Sequence, residues 1–194
     1  MNDNNSFNDG KDVSSQAKIT TTLAHGITDW NGWYLNSKMA NIALNAGYDF
    51  NSDNLFYYAT SSIVFQHPLT NRLRFCTTVS ASYENNTYIL QWPDQSAGSV
   101  SILPPEFRTP EIAGGNTGFE LAIKKFGFGL FSIYTNYQGV FAKNVNDEYK
   151  FCHGVSGGMR LYLSKIAFPA FAFGMSRNIT TKDLYWSGSI GVSF

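Results

Sequence analysis

The sequence is poor in charge. Only 14% of its 194 residues are Asp, Glu, Lys or Arg, where a soluble domain carries about a quarter. The 14 basic and 14 acidic side chains cancel, so the cationic excess that neutralises nucleic-acid phosphates is missing. No apolar run approaches the roughly 18 residues of a membrane-spanning helix. The longest, Ile166 to Phe173, is interrupted by Pro169. The opening Met1-Asn2-Asp3-Asn4-Asn5 lacks the basic and apolar regions of a secretory signal. That leaves a cytoplasmic protein, or a mature chain whose signal has been removed. Two cysteines, Cys76 and Cys152, are too few for a disulfide framework or a zinc site. Two unpaired, small apolar side chains are the expected reading, with one disulfide as the alternative.

What is present is aromatic: 16% of residues are Phe, Trp or Tyr, too many large apolar groups for a disordered chain. They recur with a period of two. Leu184, Trp186, Gly188, Ile190, Val192 and Phe194 share one face, and Tyr185, Ser187, Ser189, Gly191 and Ser193 the other. Phe151, Val155, Met159 and Leu161 oppose Lys150, Cys152, Ser156, Arg160 and Tyr162 in the same way. Leu73, Phe75, Val79, Ala81 and Tyr83 oppose Arg74, Thr78, Ser80, Ser82 and Glu84. Such alternation is the signature of a strand with two unlike faces.

Strands are expected near 32–45, 54–67, 72–90, 118–126, 128–142, 149–163, 165–176 and 184–194, with 18–27 as a further candidate. Short connections near 68–71, Gly127 and Ser164 alternate with longer polar ones at 46–53, 91–117, 143–148 and 177–183. The expected fold is therefore all-β: an antiparallel transmembrane β-barrel of about eight strands (eight to ten), with short periplasmic turns and longer extracellular loops. Residues 1–16 read as a flexible polar segment and 17–194 as the barrel. Arg74, Glu84, Glu120, Lys124, Lys150 and Arg160 fall on the polar face, where charges of both signs can pair in a lumen while the apolar face meets lipid. The alternative is a soluble, lipocalin-like barrel carrying those charges outside.

A last strand that ends on Phe194, with Val192 and Ile190 at alternate positions before it, resembles the assembly signal of bacterial outer-membrane proteins. Gly114-Gly115-Asn116-Thr117-Gly118-Phe119, preceded by Pro105-Glu106-Phe107-Arg108, is similar to a loop-six region. Gly154 to Leu161, Ile166-Ala167-Phe168-Pro169 and Asp29-Trp30-Asn31-Gly32-Trp33 extend the likeness. Together they resemble the C-terminal barrel of the BamA/TamA-type outer-membrane assembly-factor (bacterial surface antigen) superfamily, over roughly residues 17–194. The resemblance implies a bacterial outer-membrane location and contact with the bilayer and its lipopolysaccharide-type leaflet. It also implies engagement of the assembly machinery through the last strand. The chain departs from the family where activity is carried. Thr117 stands in place of the loop-six arginine, Thr135 and Asn136 stand where its acidic partner is expected, and the periplasmic repeat domains are absent. Arg108 is the one displaced candidate for that arginine.

Catalytic chemistry finds little purchase. His25 and His67 fall near expected turns, and His153 falls on the outward face, opposite Ser156. There is no Gly-x-Ser-x-Gly elbow. Asn51-Ser52-Asp53 and the 144–148 segment lack the Asp-x-Asp-x-Asp-Gly register of a calcium loop. The expectation is a non-enzymatic scaffold or assembly-related barrel without a cofactor, able to form a homo-oligomer and with no nucleic-acid partner. The alternative is a small outer-membrane channel or a barrel enzyme acting on lipid or a small ligand, for which Glu84, Glu120, Lys124 and Arg160 are the acid–base candidates.

Overall fold

The computed structural model describes residues 16–50, 53–85, 92–143, 148–163 and 169–190. Residues 1–15, Asn51, Ser52, the 144–147 cluster, Ile166 to Phe168, Val192 and Phe194 lie outside that set. Among the described residues, nine strands form one antiparallel sheet in chain order. They are β1 (Gln16–Trp30), β2 (Leu35–Asp49), β3 (Asn54–Pro68), β4 (Leu73–Glu84), β5 (Glu111–Phe126), β6 (Gly129–Lys143), β7 (Tyr149–Leu163), β8 (Pro169–Asn178) and β9 (Leu184–Ile190). Both cysteines are free.

The all-β reading holds, with differences at its edges. The 18–27 segment is a full strand, β1, paired with β2 from Gln16↔Asp49 to Trp30↔Leu35. The strand expected over 72–90 is described to Glu84, with 86–90 of that expectation outside the described residues, and the one expected from 118 begins at Glu111. The Gly114–Phe119 run therefore lies inside β5 rather than in a loop. Its small side chains let neighbouring backbones approach: a Cβ on Gly118 would sit 1.9 Å from the Thr135 carbonyl oxygen.

Local chemistry sets the turns. Asn31 accepts from the amides of Trp33 and Tyr34 through Oδ1, at 3.0 and 2.8 Å. Gly32 beside it takes φ +87°, a region open to glycine without strain. Between β3 and β4, Thr70 Oγ1 accepts from the amides of Arg72 and Leu73. After β8, Asn178 Oδ1 accepts from those of Thr180 and Thr181.

The two faces differ throughout. Ile42, Ile63, Val79, Tyr137, Phe151, Met159, Phe173 and Trp186 are exposed on one face. The other face is concave: one cavity of about 320 Å³ is lined by residues from β3 through β9. The long β4–β5 connection folds onto this face. Its 3₁₀ turn, Gln95–Gly98, is capped by Asp94, which accepts from the Ser96 amide. Val100, Ile102 and Leu103 then pack against Ile112, Val140 and Ala142.

Polar bonds tie this segment to four strands. Ser80 donates to the Ala97 carbonyl, Asn116 to that of Ser99 and Asn178 to that of Ile102. Ser101 meets Gln138 and Ser176, and Thr109 donates to the Lys143 carbonyl. Its reach from β4 to β8 braces the curvature.

Ile102 is fully buried. We predict that Ile102→Ala costs about 2–5 kcal/mol, the usual range for truncating a buried aliphatic side chain. Urea titration of the folded protein measures it, and a loss below about 1 kcal/mol would show that the segment does not brace the sheet. The Asp94 carboxyl is held below its ordinary range, first by the Ser96 hydroxyl. A depressed carboxyl contributes fully above the ordinary Asp value, about 4, and loses that contribution as pH falls through its lower folded value. Pepsin cleavage within 92–110 should therefore rise as pH falls below about 4, and Asp94→Asn should remove that dependence. Cleavage independent of pH in the parent protein would count against the cap.

Candidate functional site

Strand parity turns Arg74, Glu120, Ser132, Arg160 and Tyr162 toward the concave side, and the register brings them together. Arg74 stands opposite Glu120, Ser132 opposite Arg160 and Leu130 opposite Tyr162. Glu120 is 1% exposed, and both its oxygens are used. Oε2 accepts from Arg74 Nη2 at 2.8 Å and from Arg160 Nη1 at 2.8 Å. Oε1 accepts from Ser132 Oγ at 2.5 Å and from the Tyr162 hydroxyl at 2.8 Å.

Arg74 is buried too, and its donors are spread over several acceptors. It reaches the Leu35 carbonyl at 3.1 Å, Gln66 Oε1 at 3.4 Å and the Tyr162 hydroxyl at 2.9 Å. Its guanidinium lies 4.0 Å over the Tyr34 ring, a cation–π contact that burial strengthens. Burial first, and the Glu120 carboxylate second, push the Tyr34 phenol well above its ordinary value, so it stays neutral. At the same end, Lys125 donates to the Gly32 carbonyl at 2.8 Å, and Arg72 lies over the Trp33 ring.

Arg160 differs from Arg74. Its hydrogen bond goes to Glu120, and its guanidinium rests 4.1 Å from the Tyr134 ring centre. Tyr134 can lie there because Gly174 has no side chain: a Cβ at that position would come within 2.2 Å of the Tyr134 hydroxyl oxygen. Arg160 and Glu120 line the polar cavity together with Gln66, Thr78, Asn116, Asn136 and Ser156.

The expected polar-face charges thus separate. Arg74, Glu120 and Arg160 form one cluster. Glu84 is buried at the far end of β4, where its amide donates to the Pro110 carbonyl. Lys150 is exposed. Lys124 lies on the opposite face from the one expected. A bulge between Ala122 and Lys124 pairs Lys124 with Phe131 and Lys125 with Leu130, so Lys125 takes the inward place. A bulge admits one extra residue and reverses side-chain parity beyond it, which simple alternation does not foresee.

The loop-six-like residues are dispersed. Gly114 and Gly118 lie on the concave rows of β5, while Gly115, Thr117 and Phe119 face outward. Thr117 meets Thr77 across the strands at 2.9 Å, and Phe119 packs edge-on against Phe75. Arg108 donates to the carbonyls of Pro105 and Phe107 and stands 4.0 Å from Asp94, apart from Glu120. Ile190 is outward and exposed.

Tyr34 and Gln66 join the cluster without any sequence motif. The one usable signal was for Tyr162, which parity puts on the Arg160 face. Ser156 bonds to Gln138 at 2.6 Å, and His153 meets Tyr137 at 3.1 Å on the other face. With both carboxylate oxygens engaged by Arg74, Arg160, Ser132 and Tyr162, Glu120 fixes the orientation of these groups around it.

No family model, no curated protein and no solved structure matches the chain.

We predict that Glu120→Gln destabilises the fold by about 3–5 kcal/mol, because it leaves the buried Arg74 guanidinium and the half-buried Arg160 without their shared anion. Denaturant unfolding of the variant beside Arg160→Gln measures this. Equal, small losses in both would show that the carboxylate does not hold the cluster.

Proposed function

We propose that the chain is the strand-forming part of an integral bacterial outer-membrane β-barrel with a scaffold or assembly-related role, of the kind its assembly-factor resemblance implies. One observation carries this reading: large apolar side chains stand exposed on the convex face of all nine described strands, while the Arg74–Glu120–Arg160 cluster lies on the concave face. Water would penalise that arrangement, since monomeric soluble proteins seldom expose contiguous apolar patches above a few hundred Å². Lipid favours it, provided that the backbone groups are satisfied within the sheet.

The distribution along the strands supports the same reading. Tyr83, Phe141, Tyr149 and Phe151 cluster toward the end of the sheet that carries the β4–β5 and β6–β7 connections. Phe65, Phe75, Phe119 and Phe128 lie toward the opposite end. Between them the outward rows carry Ile63, Val79 and Gly115, then Ser61, Ala81 and Ala113. Two aromatic bands around an aliphatic one suit the two water–lipid interfaces.

In a bilayer the outer edges of β1 and β9 need partners. In a nine-strand antiparallel meander β1 and β9 run parallel to each other. Closure within one chain, or through a second copy in the same orientation, would therefore make a parallel seam. Engagement of the assembly machinery through β9 uses the same free edge.

The test is extraction and gel mobility. The protein should require detergent to leave membranes, and the unboiled form should migrate differently from the boiled form. Release without detergent, together with identical mobility, would overturn the membrane reading. Intermolecular rather than intramolecular disulfides between cysteines placed along β1 and β9, in a Cys76→Ala, Cys152→Ala background, would assign the seam to a second copy.

A further inference from the structure

The charge balance of the concave cluster leaves one cation over: Arg74 and Arg160 share the single carboxylate of Glu120. The excess falls on Arg160. A guanidinium has five N–H donors; Arg74 divides its own among Glu120, Leu35, Gln66 and Tyr162, whereas Arg160 places one on Glu120. One face of Arg160 is occupied by the Tyr134 ring.

The neighbours of Arg160 on the next strands are small. It stands opposite Ala172 on β8, and Ala172 stands opposite Ser189 on β9. The cavity of about 320 Å³ opens over this row. Among the described residues its lining carries no carboxylate apart from Glu120, but it offers hydroxyl and amide groups including Thr78, Asn136 and Ser187.

We propose that this cavity is a binding site for a small oxyanion, a carboxylate or a phosphate, held against the unused donors of Arg160 and oriented by the surrounding hydroxyls and amides. A planar fork of donors suits two oxygens of one anion. Beneath the 95–103 segment, partly screened from water, that charge is worth more than at an open surface. The site does not depend on the membrane reading, because it is built from the concave face alone.

Calorimetric titration of the purified full-length chain, in non-ionic detergent if extraction requires it, tests the proposal with two probes, inorganic phosphate and succinate. Saturable one-to-one binding of at least one probe is expected, and the preferred probe identifies the anion class. Arg160→Gln should weaken it about tenfold or more, the loss of a charge-assisted bond. Ala172→Asp, which sets a carboxylate opposite the guanidinium, should do the same while leaving unfolding at least as cooperative as in the parent. That second variant keeps the test decisive if Arg160→Gln does not fold. Failure of the parent to bind either probe, or unchanged binding in folded Ala172→Asp, would overturn the proposal and leave a water-filled cavity.

Discussion

A buried carboxylate needs counter-charge, and the concave side of this sheet is organised around that requirement. Glu120 sits on β5, and its partners come from β4, β6 and β7. Through Arg74 the network extends to β2 and β3. Residues so far apart in the chain can meet only if the sheet bends, so satisfying one anion and setting the curvature are coupled. Replacing one partner of such a group leaves an uncompensated charge, whereas replacing the whole network by apolar residues need not be costly. The network is therefore better understood as specifying one curvature than as a simple sum of favourable contacts.

The β4–β5 segment performs the complementary task at the other end. Its Val100, Ile102 and Leu103 supply the apolar cluster on the concave face near the start of β5. At the turn end, Tyr34, Ala122, Leu130 and Tyr162 form a second, smaller cluster around the aromatic wall of Arg74. Between the two lies a polar cavity. A core divided in this way differs from that of a soluble sandwich, in which the inward faces of two sheets make one continuous apolar layer.

Much of the strand content was legible in the residues, because alternation is a local property. Each step along a strand reverses the side-chain direction, so the greasy and polar rows of β4, β7 and β9 could be read directly. The errors fell where that local rule fails. At Ala122–Lys124 the bulge reverses the parity and exchanges Lys124 for Lys125. At Gly114–Phe119 a glycine-rich run suggested a loop, yet cross-strand pairing with β4 and β6 absorbs it into β5. Glycine permits close backbone approach as readily as a turn, and the sequence does not distinguish the two uses. The 18–27 segment gives a weaker signal because Thr21 and His25 interrupt its apolar row of Ile19, Leu23 and Ile27.

By itself the sequence determined the class of structure: strands, antiparallel and connected in order, with one aromatic face and one polar face that carries Arg74, Glu120 and Arg160. Those features follow from composition and a two-residue period, which act over a few positions. The tertiary structure decided which charges meet. It brought Tyr34 and Gln66 to Arg74, put Lys124 outside, and folded residues 95–103 over the cavity. It also left Arg160 with donors to spare. Such relations depend on register, curvature and loop path, set by contacts between residues dozens of positions apart, and no local pattern encodes them one at a time.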